Sequence, residues 1–329
     1  MFNIFIILFV FAELTFYLLI AQTGIVEVFH SDIFSIIYLP IGGVIGTYLI
    51  PQIKFSKHYK TFLLLIIQLI ISFMYPNLSA FILFLLGFAV GGLSPIIIET
   101  LKKATLFDLL FALGSAYTTG TLLFTSDPLH RGVLAIALTS VAILGAFFLQ
   151  NHSKEKSFLH QNFYSYPLYL MVLWVFLDSS LFETLSRDPM LSIWRDGYNI
   201  EIILFHIFGV ISALFIRLEY FQKSLFIIIL FSFSYLFYFT SEALLLSLVY
   251  PFVISYYNVV ILESLVKIKS FKTIGIFMVF IGWGASGGGL MVALNNLILF
   301  IPILLSIVLI HNISKELNLT KGALSWQKD

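Results

Sequence analysis

Cysteine is absent from this chain and charge is scarce, with only 11% of 329 residues being Asp, Glu, Lys or Arg. A chain without cysteine is not a disulfide scaffold. Soluble domains carry about 25% charged residues, so this share excludes an ordinary water-facing surface. Neither sign dominates, with 18 Lys plus Arg against 17 Asp plus Glu, and the lack of a basic surplus excludes a nucleic-acid binder. What is present is apolar: 60% hydrophobic residues and a mean hydropathy of +1.02, which exclude disorder and leave an integral membrane protein.

Apolar stretches fall at residues 2–21, 33–50, 61–75, 78–98, 105–124, 131–149, 163–184, 198–216, 224–240, 243–262, 272–293 and 295–312. Barrel strands alternate polar and apolar over about 10 residues, whereas residues 61–74 are apolar on nearly every face. The first stretch has no basic flank before it and no small-residue cleavage site after it, so it reads as a helix rather than a signal peptide. Twelve crossings at roughly 20 residues each leave no room for a soluble domain.

Basic residues gather in short cytoplasmic loops and give an independent test. With the N-terminus inside, the cytoplasmic connections and tail hold Lys54, Lys57, Lys60, Lys102, Lys103, Lys154, Lys156, Arg217, Lys223, Lys267, Lys269, Lys272, Lys315, Lys321 and Lys328. Arg131, Arg187 and Arg195 are left outside. The expected fold is therefore an all-α polytopic membrane protein of twelve transmembrane helices with both termini cytoplasmic. It divides into a six-helix bundle at 1–150, a linker at 151–162, a second bundle at 163–314 and a tail at 315–329.

The halves resemble each other. A shift of 164 lays residues 96–107 on 260–271 with Ile97/Ile261, Glu99/Glu263, Leu101/Leu265, Lys103/Lys267 and Phe107/Phe271 identical. A shift of 163 pairs Gly46 with Gly209, and a shift of 168 lays GSAYTTG at 114–120 on GWGASGG at 282–288. Six helices per copy give both the same orientation, so these are parallel repeats.

The six-plus-six plan, the basic connection at 150–162 and a glycine-rich fourth helix ending in proline, FLLGFAVGGLSP at 84–95, resemble the major facilitator superfamily of secondary transporters. The family's acidic and arginine-rich loop should lie at 46–60, where the chain reads GTYLIPQIKFSKHYK. Glycine and basic residues remain, but proline stands where acid is expected, which marks a divergent member. The resemblance implies a monomer in the plasma (bacterial inner) membrane, among lipids, working by alternating access, with the first helix of each half lining a central cavity.

Ionisable groups inside a membrane are functional candidates. Glu13 lies near the middle of the first helix and Asp178 in the outer half of the seventh, equivalent at a shift of 165. In the resembled fold both would face one aqueous path and exchange protons; the alternative is a packing bond to Tyr or Ser. Helix 8 adds Glu201 and His206, and histidine suits a proton relay. The two lie about 140° apart at 100° per residue, so they do not share a face. Glu13, Asp178 and His206 are the expected proton-coupling groups. Tyr117, Thr118, Glu201, Tyr250, Tyr257 and Asn258 are the expected substrate ligands; aromatic belts are the other account of the tyrosines.

Gly46, Gly91, Pro95, Gly284 and Gly288 would permit close helix approach and bending. Glu99 and Glu263 read as ion pairs at a cytoplasmic gate, while Glu183 and Glu242 read as solvated. No Lys or Arg stands at mid-membrane, which favours a small neutral, amphipathic or cationic solute and protons as partners over a multiply charged anion. No cofactor or metal is expected: the seven His, including His152 and His160 at the linker, lack ligand spacing. A membrane-embedded transferase lacks its motifs, which leaves a non-transporting scaffold subunit as the alternative to a carrier.

Overall fold

The computed structural model describes residues 3–29, 33–149, 165–188 and 190–310. The expected linker, tail, His152 and His160 lie outside the described residues, as do Lys154, Lys156, Lys315, Lys321 and Lys328. The described chain is 83% helix with no strand.

Among the described residues nine helices are long and apolar enough to cross a membrane, the architecture of an α-helical polytopic membrane protein. They are α1 (Ile4–Val28), α3 (Lys57–Met74), α4 (Ala80–Leu101), α5 (Leu106–Leu123), α6 (Gly132–Leu149), α7 (Leu168–Arg187), α9 (Tyr220–Phe239), α10 (Ala243–Val266) and α11 (Phe271–Leu294). Three shorter apolar helices complete the set: α2 (Phe34–Leu49), α8 (Asn199–Phe215) and α12 (Leu297–Ile310). Each matches an apolar stretch of the sequence. At 10–17 residues, however, the three fall short of the roughly 20 needed to span a bilayer.

Local chemistry sets the boundaries. Ser56 accepts a bond from Tyr59 N at 3.3 Å and starts α3 before the apolar run begins. Thr105 and Asp108 form a capping box at α5, and Asp108 Oδ1 also accepts Asn3 N at 2.8 Å, which ties the start of α1 to the start of α5. α1 outruns its expected end because it widens into a π-helical turn over Tyr17–Gln22 before resuming at Gly24–Val28. There Thr23 donates twice to Leu18 O, five residues back, at 3.1 Å from N and 2.7 Å from Oγ1. α11 carries a second π-helical stretch, Val279–Ala285.

Helices pack where glycine removes a side chain. α2 lies backbone to backbone on α4: a Cβ on Gly46 would stand 2.2 Å from Phe88 O, and one on Gly91 2.2 Å from Gly43 O. α8 lies on α10 in the same way, with a Cβ on Gly209 2.4 Å from Phe252 O. Charge is paired at the end of the bundle where α4 and α10 terminate. Glu99 of α4 binds Lys102 and faces Lys57 of α3 at 3.9 Å; Glu263 of α10 faces Lys223 of α9 at 3.7 Å. Phe107 of α5 and Phe215 of α8 meet at that same end, centroids 6.2 Å apart.

Candidate functional site

Between the first six helices and the rest lies a cavity of about 320 Å³, walled by α1, α4, α5, α7, α8, α10 and α11. Glu13 and Asp178 both line it.

Asp178 is held by α10. Tyr250 and Tyr257 are seven residues apart, almost two full turns, and so share a face. Tyr250 OH donates to Asp178 Oδ1 at 2.8 Å and Tyr257 OH to Oδ2 at 2.6 Å. The next residue, Asn258, donates to Tyr117 OH of α5 at 3.1 Å. Tyr117 stacks on His206 of α8 with centroids 4.3 Å apart and rings 1° from parallel, and His206 Nδ1 bonds Ser255 Oγ of α10 at 2.6 Å. One polar chain thus joins α5, α7, α8 and α10.

Glu13 is tethered differently. Gln68 Nε2 of α3 donates to its Oε1 at 3.1 Å and to Thr139 Oγ1 of α6 at 3.2 Å. Neither α3 nor α6 contributes a residue to the cavity wall, so Glu13 opens on the cavity while its bond reaches away from it. Gln68 Oε1 is buried with no partner among the described residues.

Other expected site residues fall outside the cavity. Thr118 Oγ1 donates to Gly114 O of its own helix at 2.7 Å and does not line the cavity. Glu201 occupies the first turn of α8, half-buried and also away from it; a carboxylate at a helix N-terminus complements the dipole there. Gly284 lies inside the π-helical stretch of α11, Gly288 against the Phe176 ring, and Pro95 is buried within α4. Glu242 is exposed, as expected. Glu183 is not solvated: it is 6% exposed and bonded by Arg187 one turn on, because α7 continues to Arg187 and brings the partner into reach.

Several wall residues escape sequence reasoning. The π-helical turns place Tyr17 and Gln22 of α1 and Trp283 of α11 in the cavity; such wide turns often mark functional sites. Trp283 lies over Gly43, where a Cβ would meet its ring at 2.1 Å, and donates from Nε1 to Thr47 Oγ1 at 2.9 Å. The segment between α7 and α8 folds inward instead of looping out, burying Ile193 and Trp194. Irregular backbone is tolerated in a membrane protein where protein covers it.

Trp194 stacks on Phe124 at 5.1 Å and meets Phe182 edge-on at 5.2 Å, roofing the cavity. Beyond the roof a second cavity of about 420 Å³ is lined by Glu27, Glu183, Arg187 and Arg195 and shares Gln22 and Phe182 with the first. Arg131, fully buried, braces this side. Its guanidinium donates to Leu19 O at 2.9 Å, Thr23 Oγ1 at 2.9 Å, Phe124 O at 2.6 Å and Ser126 O at 3.0 Å, with Glu27 at 3.7 Å.

Among the described residues no group of three or more His, Asp or Glu is placed to hold a metal ion. No protein-family model matches this chain, and no curated protein matches it either.

Proposed function

We propose that the protein is a secondary active transporter that moves a small neutral, amphipathic or cationic solute by alternating access, coupled to protons through Glu13 and Asp178. The observation that carries this reading is the cavity between the two sets of helices, with a carboxylate from α1 and one from α7 in its wall. A carrier needs such a cavity between its halves and ionisable groups within it; a scaffold subunit needs neither. Among the described residues no group of three or more His, Asp or Glu placed to hold a metal favours a transferase.

On this reading all twelve helices cross the membrane, α2, α8 and α12 with them, as two parallel six-helix repeats whose basic end faces the cytoplasm. Two pairs of contacts and one pair of carboxylates support the repeat. Gly46 on Phe88 O answers Gly209 on Phe252 O, the Lys57–Glu99 pair answers Lys223–Glu263, and Glu13 answers Asp178. The arrangement resembles the major facilitator superfamily, and the chain would act as a monomer in a bacterial inner membrane.

Reconstitution in liposomes with an enclosed pH-sensitive dye tests the reading. Solute-dependent proton flux is expected in the native protein and its loss in both Glu13→Gln and Asp178→Asn. Flux unaltered in both variants would remove the coupling assignment.

A further inference from the structure

We infer that the two cavity carboxylates have different tasks: Asp178, in addition to its place in proton coupling, docks the headgroup of a monovalent organic cation with an apolar or aromatic body, and Glu13 serves as a proton site alone. The docking half rests on the cavity itself; the proton half rests on the transport reading above.

Charge comes first. Asp178 lies in the cavity wall and forms no ion pair among the described residues, and no Lys or Arg lines the cavity. A half-buried carboxylate without a counter-charge is still costly, and a bound cation would supply the missing partner. The two phenols that hold its oxygens fix its position, and a carboxylate has about four lone-pair sites, so two bonds leave room for a headgroup.

The rest of the wall selects the class of cation. Tyr17, Tyr117, Tyr257 and Trp283 all line the cavity, and aromatic faces attract weakly hydrated cations, Trp most strongly. A small inorganic cation would leave these rings unused, and among the described residues no group of three or more His, Asp or Glu is placed to hold one. A volume of about 320 Å³ lies at the lower end of ligand cavities and suits a compact molecule with a single headgroup.

Glu13 is built for a different exchange. Its tether, Gln68, reaches it from α3, outside the wall. An amide serves both protonation states: as found, Nε2 donates to a carboxylate, while a rotated amide presents Oε1 to accept from a carboxylic acid. Asp178 faces two phenols, each of which donates to one of its oxygens. Glu13 thus has a partner outside the wall that can follow a change of protonation, and Asp178 has both oxygens positioned at the cavity.

The test uses the full chain in detergent, titrated with benzyltrimethylammonium and with its uncharged carbon isostere neopentylbenzene, read by the fluorescence of the cavity tryptophans. The cation is expected to bind roughly tenfold tighter than the isostere or better. Asp178→Asn should erase that preference, Asp178→Glu should retain it, and Glu13→Gln should retain it while losing the pH dependence of binding. Equal binding of the two probes, a preference that survives in Asp178→Asn, or its equal loss in Glu13→Gln would overturn the assignment. Retention in Asp178→Glu shows that the loss in Asp178→Asn reflects charge rather than misfolding. Cation binding without solute-driven proton flux in liposomes would sink the transport reading and leave the docking site intact; flux driven by neutral solutes with no preference for the cation would do the reverse.

Discussion

Asp178 owes its setting to a spacing, since two tyrosines seven residues apart on α10 reach its two oxygens. Hydrogen bonds to charged groups contribute about 1.5–3 kcal/mol, so Tyr257→Phe should lower thermal stability in detergent by about that much while leaving the aromatic wall in place. Arg131 carries a heavier share. It satisfies the carbonyls at the C-terminal end of α5 and those of the α1 π-helical turn together. Arg131→Met should cost roughly 3 kcal/mol or more, because a buried partner is removed and acceptors are left bare, whereas Arg195→Met, at an exposed site, should cost less; differential scanning fluorimetry separates the two. The sequence exposed Glu13, Asp178 and His206 because ionisable residues stand out in apolar runs. Arg131 looked like an ordinary loop base, since nothing in its neighbours reveals that it turns inward. Gln68 and Trp283 were hidden for the opposite reason, being uncharged residues whose partners come from elements far away in the chain.

At the level of elements, the apolar runs located all twelve helices to within a few residues at most ends, and the misses have local causes. The apolar run at 2–21 ends short of α1 because Thr23 sustains a π-helical turn that hydropathy does not register. Arg187 and Arg195 point to an outer loop between α7 and α8, whereas Ile193 and Trp194 of that connection are apolar and fold inward. The glycines were legible as close-packing sites, but which backbone each meets was not. Gly46→Leu should disrupt the α2–α4 contact and abolish folded protein, whereas Gly287→Leu, with open space around it, should be tolerated; yields of monodisperse protein on gel filtration report both. The two ion pairs differ as well. Glu263 is 2% exposed and faces Lys223, while the side chain of Glu99 is 20% exposed and keeps Lys102 when Lys57 is lost. Lys223→Met should therefore destabilise by roughly 3 kcal/mol and Lys57→Met by less than about 1 kcal/mol, measured by thermal unfolding in the same detergent.

For the whole molecule, the proposal is that two six-helix units rock about the cavity they share. Two of the contacts between the units are α5 against α8, with Phe107 and Phe215 at one end, and α2 against α11, with Trp283 in the Gly43 notch. The aromatic layer of Phe124, Phe182 and Trp194 separates the central cavity from the outer one. Rocking would open one end as it closes the other. The absence of cysteine gives a clean background for introduced labels. Exposed Lys54 and Arg217 lie at the end where α2 and α8 terminate, one in each unit, and exposed Asn77 and Glu242 follow α3 and α9 at the opposite end. Each pair is replaced by cysteine, spin-labelled, and its distance distribution measured by pulsed electron paramagnetic resonance as the pH is stepped from acidic to basic. The account predicts that the Lys54/Arg217 and Asn77/Glu242 distances change in opposite senses, and that the changes vanish when Glu13→Gln and Asp178→Asn are combined. Two distances that stay fixed, or that lengthen and shorten together, would contradict alternating access.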